Sequence, residues 1–157
     1  MLQDAYQKRD RVGMIAFRRQ QAEVLLPITR SVDLAQKRLA EMPTGGKTPL
    51  ADGLATALLT IAKLNKKDSE LEPILVLVTD GRANAVEENG GDPVEAAIKM
   101  AEKIRKAKIT SVVIDTENDF IKLGVAKKVA QAMGASYYNL RQLSKEQILR
   151  IVRNLGE

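Results

Sequence analysis

The sequence has no cysteine and no histidine, and these two absences exclude whole classes of functional site. Without cysteine there is no disulfide framework and no thiolate metal centre. Without histidine the chain lacks the commonest general base and the commonest ligand of transition metals. Any metal bound by this chain alone must therefore be a hard cation held by oxygen atoms, such as magnesium, calcium or manganese.

Aromatic residues and long apolar runs are also scarce. The chain has two Phe, three Tyr and no Trp, so we expect no base-stacking platform for nucleic acid. No signal peptide and no run of about 20 apolar residues occurs, so we expect no membrane span. The expected location is cytoplasmic, or the plastid stroma if the protein comes from a plant. The net charge of +5 is mild, and the lysines of residues 99–108 are typical of a solvated helix face.

The second half of the chain has the pattern of an α/β protein. Its 157 residues are enough for one domain with a real core. Residues 74–78 are all aliphatic, which indicates a central parallel strand buried on both faces. Further strands at 109–114 and 136–140 alternate with helices, and this alternation predicts a doubly wound, mostly parallel sheet.

The first half of the chain predicts one antiparallel edge strand. Two apolar segments, residues 11–17 and 22–28, are separated by a turn too short for a crossover connection, so they should form an antiparallel hairpin. The second segment is expected at the edge of the sheet, where Pro27 is tolerated.

Two helices are expected between the hairpin and the central strand. Ser31 is a suitable N-cap for a helix through residue 40, with Ala35 and Leu39 on its buried side. Thr48 and Pro49 are a capping residue and a first-turn proline for a longer helix through about residue 65.

The end of the central strand carries the first candidate functional residue. Asp80 and Gly81 directly follow the aliphatic run, at the edge where open α/β sheets hold their ligands. Asp80 could also simply cap a turn, since Asp and Gly are usual turn residues. Asp115 follows the next strand at the same edge and is either an accessory acid or a capping residue.

The segment containing Gly45, Gly46, Lys47 and Thr48 resembles the end of a phosphate-binding loop. The full pattern requires a glycine where this chain has Glu41, and such a loop follows a strand, whereas this segment follows a predicted helix. In the other interpretation, the glycines allow a tight turn that presents the Thr48 hydroxyl at the positive end of a helix.

With this hydroxyl and the Asp80 carboxylate, the sequence resembles the von Willebrand factor A domains, also called integrin I-like domains. Two segments, TGGKTPLADGL and LVLVTDGRAN, are similar in particular to the carboxyl-terminal domain of magnesium chelatase D subunits, and cobalt-inserting relatives have similar subunits. The resemblance covers essentially the whole chain, and it implies a single domain of Rossmann-like fold over residues 1–157.

The resemblance also implies a metal-ion-dependent adhesion site. In the family, this site takes ligands from an Asp-x-Ser-x-Ser after the first strand, a threonine before the long helix and an aspartate after a later strand. By resemblance, Thr48 and Asp80 would be ligands of Mg²⁺, and Gly45, Gly46 and Gly81 would support the loops.

The sequence departs from the family pattern at its beginning. No Asp-x-Ser-x-Ser occurs, and the first strand, which in the family lies between residues 11–17 and 73–78, is missing, so we expect a domain incomplete at its N-terminus. The two flanking strands would then pair with each other, take a strand from a neighbouring chain by strand exchange or in an oligomer, or leave the chain unstable. Thr48 and Asp80 supply two ligands and one charge, so Mg²⁺ binding should be weak or absent.

The resemblance implies an interaction module and not an enzyme, and we expect no catalytic residue. In a chelatase, the bound metal would grip an acidic side chain of the AAA+ motor subunit or of the porphyrin-binding subunit, and the complex would use ATP to insert Mg²⁺ into protoporphyrin IX. Two alternatives stay open. One is a domain of a cobalt chelatase or another AAA+-partnered system; the other is a phosphoryl-transfer enzyme that uses Asp80, Asp115, Lys47 and Thr48.

Overall fold

The computed structural model of the chain describes residues 11–18, 21–42, 49–83, 90–117 and 124–155. Within these ranges no helix combines the length and apolarity that a membrane crossing requires. In chain order the elements are β1 (Val12–Arg18), β2 (Gln21–Thr29), α1 (Val32–Ala40), α2 (Leu50–Lys67), β3 (Ile74–Thr79), α3 (Pro93–Lys106), β4 (Thr110–Asp115), α4 (Val125–Met133), β5 (Ser136–Asn139), a short 3-10 helix (Leu140–Gln142) and α5 (Lys145–Leu155).

The strands of the described residues form two separate sheets. β1 and β2 pair in antiparallel fashion, with Arg18 opposite Gln21 beside the turn. β3, β4 and β5 form a parallel sheet in that order. The predicted α/β class, the mostly parallel sheet and the antiparallel hairpin are therefore confirmed. Pro27 is exposed in β2, whose strand partner among the described residues is β1 alone.

The position of β3 differs from the prediction. The aliphatic run predicts a central strand with both faces buried, but among the described residues β3 pairs with β4 alone. Leu77 is buried on one face of β3, whereas Val78 on the other face is 52% exposed. β4, which has a strand on each side, is the strand in which residues 111–115 are all buried.

The hairpin is held by α2 and not by β3. The ring of Phe17 packs so closely on Gly53 that a Cβ atom at residue 53 would lie 2.6 Å from Phe17 Cδ1. Asp52, in the first turn of α2, accepts a hydrogen bond from the N–H of Ala22 in β2. Of the three alternatives for the flanking strands, pairing of β1 with β3 does not occur in the described residues, where β1 pairs with β2 and β3 with β4.

The first helix, α1, follows its predicted boundaries but not its predicted burial. Ser31 caps it as expected, since its hydroxyl accepts a hydrogen bond from the Leu34 N–H at 3.2 Å. Ala35 is buried as predicted, but Leu39 is 47% exposed, so that prediction is wrong. α1 packs on the hairpin, and two strands are too narrow to cover the apolar stripe along its full length.

The main core lies between the parallel sheet and three helices. Leu77 of β3 and Val113 of β4 are neighbours in register and belong to one buried cluster with residues of α2, α3 and α4. Burying each large aliphatic side chain contributes about 1.5–3 kcal/mol. The fully buried cluster comprises Leu50, Leu54, Leu77, Ala97, Ala101, Ile104, Val113, Val125, Ala126, Val129, Ala130 and Met133. This packing fixes the carboxyl ends of β3 and β4, where the candidate site lies.

Candidate functional site

Asp80 lies in the turn that directly follows β3, at the carboxyl edge of the parallel sheet. Its side chain is 44% exposed. One carboxylate oxygen, Oδ1, accepts a hydrogen bond from the backbone N–H of Arg82 at 3.0 Å. The other, Oδ2, lies 3.4 Å from Nε of Arg82. Asp80 is therefore both a turn-forming residue and a carboxylate that solvent or a partner can reach.

Thr79 and Gly81, the residues on either side of Asp80, stabilise the turn that contains it. Thr79 is buried, and its hydroxyl oxygen accepts a hydrogen bond from the Gly81 N–H at 3.1 Å. Gly81 has φ of +76°, and a Cβ atom there would lie 3.2 Å from the backbone nitrogen of Ala126. Glycine is required at this position because a side chain would be strained in this conformation and crowded by α4.

Asp115 ends β4 in register with Thr79, so it lies at the same edge as Asp80. It is almost completely buried, with 2% exposure. Its Oδ1 accepts a hydrogen bond from the Glu117 N–H at 2.8 Å, and its Oδ2 accepts one from the Tyr137 hydroxyl at 2.5 Å. Both carboxylate oxygens thus have internal donors, and the role of Asp115 as an accessory acid stays a prediction.

Tyr137 was not among the residues predicted from the sequence. Burial, and after it the hydrogen bond to Asp115, raises the pKa of Tyr137 to about 12. The tyrosine therefore stays protonated and donates its hydrogen bond at every physiological pH. The sequence carried only a weak signal for it, a tyrosine on the strand that follows β4, because the residue in register with Asp115 is Asn139 and Tyr137 lies opposite Val113.

A backbone hydrogen bond joins the two strand ends. The N–H of Thr116 donates to the carbonyl oxygen of Thr79 at 2.9 Å. This bond connects the end of β3, next to Asp80, with the end of β4, next to Asp115. Of these two acids, Asp115 is buried, and Asp80 has a side chain that is 44% exposed.

The other predicted site residues, Gly45, Gly46 and Thr48, lie outside the described residues, and so does Lys47. The helix that follows them begins at Leu50, with Pro49 as its N-cap, one residue later than predicted. Leu50 belongs to the same buried cluster as Leu77 of β3. The meeting of Thr48 with Asp80 stays a prediction.

The described residues do not by themselves fit a divalent cation. No group of three or more acidic side chains that could hold a metal ion is found in the described part of the chain. Asp80 is in contact with the guanidinium of Arg82, Asp115 is occupied by Tyr137 and Glu117, and the Thr79 hydroxyl already accepts from Gly81. A hard cation such as Mg²⁺ needs about six oxygen ligands, of which these residues offer few.

A parallel sheet with helices packed on it, and with an aspartate in the turn at its carboxyl edge, is consistent with a Rossmann-like α/β fold. The family model for the von Willebrand factor type A domain matches residues 1–83, which are more than half of the 157 residues. The chain belongs to the von Willebrand factor type A domain family. The family resemblance expected from the sequence is thereby confirmed.

Three further comparisons show proteins that the chain resembles. It is 43% identical to the uncharacterised protein MJ0910 of Methanocaldococcus jannaschii, across 99% of this chain and 88% of that protein. It is 38% identical to the magnesium-chelatase 67 kDa subunit of Chlorobaculum parvum, across 95% of this chain but only 26% of the subunit. The crystal structure of the SpRpn10 VWA domain aligns with 98% of this chain and 79% of its own, with a TM-score of 0.63 and 13% identity, and so shares the fold. The chain thus spans about a quarter of the chelatase subunit and most of MJ0910.

Proposed function

We propose that this chain is a non-catalytic protein-interaction domain of an ATP-dependent metal chelatase, of the kind found in magnesium chelatase D subunits. The observation that carries the proposal is the similarity to the magnesium-chelatase 67 kDa subunit across 95% of this chain. The match extends through the turn that presents Asp80. In the complex, Mg²⁺ would be the substrate inserted into protoporphyrin IX, and this domain would serve as a platform in the cytoplasm.

The interaction site of this proposal is the carboxyl edge of β3. Asp80 is exposed there on a turn that Thr79 and Gly81 hold in place. Together with Thr48 it would supply ligands for a metal ion, and an acidic side chain of the AAA+ motor subunit or of the porphyrin-binding subunit would complete the coordination of that ion. Since the described residues do not complete a site for Mg²⁺, binding of this ion by the chain alone would be weak or absent.

A second candidate is a domain of a cobalt chelatase or of another AAA+-partnered system. It is favoured by MJ0910, because this chain covers 88% of that protein, so a relative exists without the remaining length of a 67 kDa subunit. The proteins that bind the domain would distinguish these candidates.

A pull-down tests the proposed interaction. The chain would be immobilised and offered the motor and porphyrin-binding subunits of magnesium chelatase, with Asp80→Ala beside the wild type. The matched control is Asp68→Ala, because Asp68 is 40% exposed and also has an arginine partner, Arg11, at 3.7 Å. We expect Asp80→Ala to lower retention about tenfold and Asp68→Ala to leave it unchanged. Retention that is insensitive to both Asp80→Ala and a chelator would reject the adhesion site, and no retention of either subunit would reject the chelatase assignment.

The edge of β3 that has no strand partner among the described residues is the proposed place for strand exchange between copies of the chain. Within those described residues β3 pairs with β4 alone, and its Val78 side chain is exposed. Light scattering after size exclusion tests this. A dimer should become a monomer on Val78→Lys but persist on Val24→Lys, a substitution at a similarly exposed valine of β2. A wild-type monomer at all concentrations would reject strand exchange.

A further inference from the structure

Arg82 is a charged residue at the candidate site that the proposed function does not use. It lies two residues after Asp80 in the turn that follows β3, and its side chain is 63% exposed. It contacts both oxygens of the Asp80 carboxylate, one through its backbone N–H at 3.0 Å and the other through Nε at 3.4 Å.

The chemistry of this contact resembles that of a bound cation. A guanidinium is always positively charged in proteins and donates in fixed directions that match a carboxylate. The guanidinium lies beside Oδ2, one of the two oxygens that Asp80 could offer to a hard cation. A divalent ion at Asp80 would meet the repulsion of this positive charge, and at Oδ2 it would also have to displace the Arg82 side chain.

Two further acidic side chains lie at the same end of the parallel sheet as Arg82. Asp115 and Glu117 are both buried at the same end of the sheet. Asp115 is held by the hydroxyl of Tyr137 and by a backbone N–H, which are uncharged donors. Among the described residues, the ion pair that Asp80 makes is the one with Arg82. The positive charge of Arg82 thus lies against the Asp80 carboxylate.

We infer that Arg82 is the built-in counter-ion of Asp80, and that its guanidinium competes with a divalent cation for the Oδ2 atom of that carboxylate. The inference rests on the proposed function, since it concerns the regulation of the same site. It adds a second reason, beside the small number of oxygen ligands, why the described residues do not fit a metal ion: a side chain already supplies positive charge at Asp80.

Manganese broadening of amide signals tests the inference. Mn²⁺ has the oxygen preference of Mg²⁺ and broadens NMR signals close to where it binds. The 157-residue chain would be labelled with ¹⁵N and titrated with Mn²⁺ as wild type, Arg82→Gln and Arg38→Gln. Arg38 is the matched control, because it makes an exposed ion pair with Glu41 at 3.8 Å on α1, away from the sheet edge.

We expect the amides of Asp80 and Gly81 to broaden at about two- to fivefold lower Mn²⁺ concentration in Arg82→Gln than in the wild type. Arg38→Gln should behave as the wild type. Adding Asp80→Asn to Arg82→Gln should remove the gain, because the amide cannot replace the charge of the carboxylate.

Equal Mn²⁺ dependence of the wild type and Arg82→Gln would overturn the inference, and so would a gain that survives Asp80→Asn. If Arg82→Gln does not fold, Arg82→Lys provides the measurement, since it keeps the charge but loses the planar donor group. A Mn²⁺ concentration for broadening in Arg82→Lys that is lower than in the wild type supports the inference. A concentration equal to that of the wild type overturns the role of the guanidinium. A chain that retains no chelatase subunit in the pull-down but still gains Mn²⁺ sensitivity on Arg82→Gln would reject the proposed function alone.

Discussion

The strands β2 and β3 differ in how well their sequences suit a position at the edge of a sheet. β2 is nine residues long, contains the exposed Pro27, and lies in a pair with two register shifts. Proline and irregular pairing are devices that keep an edge strand from adding further strands. β3 consists of Ile74–Thr79, pairs with β4 without any register shift and contains neither proline nor a charged residue. The comparison teaches that β2 has the sequence of an edge strand, whereas β3 has the sequence of an internal one.

The largest predicted effect is a difference in the free energy of unfolding between substitutions on the two faces of β3. Leu77→Ala should lower the free energy of unfolding by about 3 kcal/mol, because it leaves a cavity between the sheet and three helices. Val78→Ala should cost less than about 1 kcal/mol, because that side chain is half exposed. Urea denaturation measures both values. If Val78→Ala is as costly as Leu77→Ala, both faces of β3 are covered and the contrast with β2 fails.

The next effect concerns how the hairpin is attached. Gly53→Ala should destabilise the chain by about 2 kcal/mol, because the new methyl group would overlap the ring of Phe17. Gly91→Ala is the control, since a Cβ atom there meets nothing within 4 Å. The double variant Gly53→Ala with Phe17→Leu should recover part of the loss. A Gly53→Ala chain as stable as the control would show that the hairpin can move freely on α2.

A smaller effect is expected at the far side of the parallel sheet. Tyr137→Phe should cost about 1.5 kcal/mol at neutral pH, because it leaves one oxygen of the buried Asp115 without a donor. Tyr138→Phe is the control in the same strand. Equal urea midpoints for the two variants would contradict a role for the Tyr137 hydroxyl.

The same tyrosine predicts a dependence on pH. The pKa of Tyr137 is raised by burial and by its bond to Asp115 to about 12, above the ordinary value of about 10. Its contribution is therefore complete below about pH 10 and is lost as the pH rises through 12. Between these values the wild type should lose more stability than Tyr137→Phe, which urea denaturation at several pH values measures. Parallel losses would contradict this assignment.

The smallest effect is expected from Mg²⁺ at the end of β3. With a dissociation constant no tighter than about 1 mM, that concentration of Mg²⁺ should add no more than about 0.4 kcal/mol to the free energy of unfolding. Thermal unfolding with Mg²⁺ or with chelator measures the difference. Micromolar binding in a calorimetric titration would show that the carboxyl end of β3 is a complete metal site.

Local patterns in the sequence predict most elements of this fold because the information they use is local. The Ser31 cap, the hairpin and the alternation of strands and helices after residue 73 depend on neighbouring residues and are all confirmed. Aliphatic residues on both faces of β3 predicted a neighbour on both sides, but whether such a neighbour exists depends on other segments. The exposure of Leu39 has a similar cause. Helical spacing predicts an apolar stripe along α1, but it does not predict which other segment covers that stripe.

The candidate site was predictable only in part for a related reason. Asp80 is evident because a strand and its turn are consecutive in the sequence. The bond between Tyr137 and Asp115 depends on the register of β4 and β5 and on side-chain direction, neither of which the sequence pattern specifies. The contact of Arg82 with Asp80 depends on the backbone conformation at Gly81, whose φ is positive.

The attachment of the hairpin to α2 has a mechanical consequence. Phe17 on Gly53 and the Ala22 N–H on Asp52 engage the first turns of a helix whose Leu50 and Leu54 are seated in the main core. Within the described residues, the hairpin and the parallel sheet are therefore attached to the same helix, so a displacement of the beginning of α2 would disturb the packing of both.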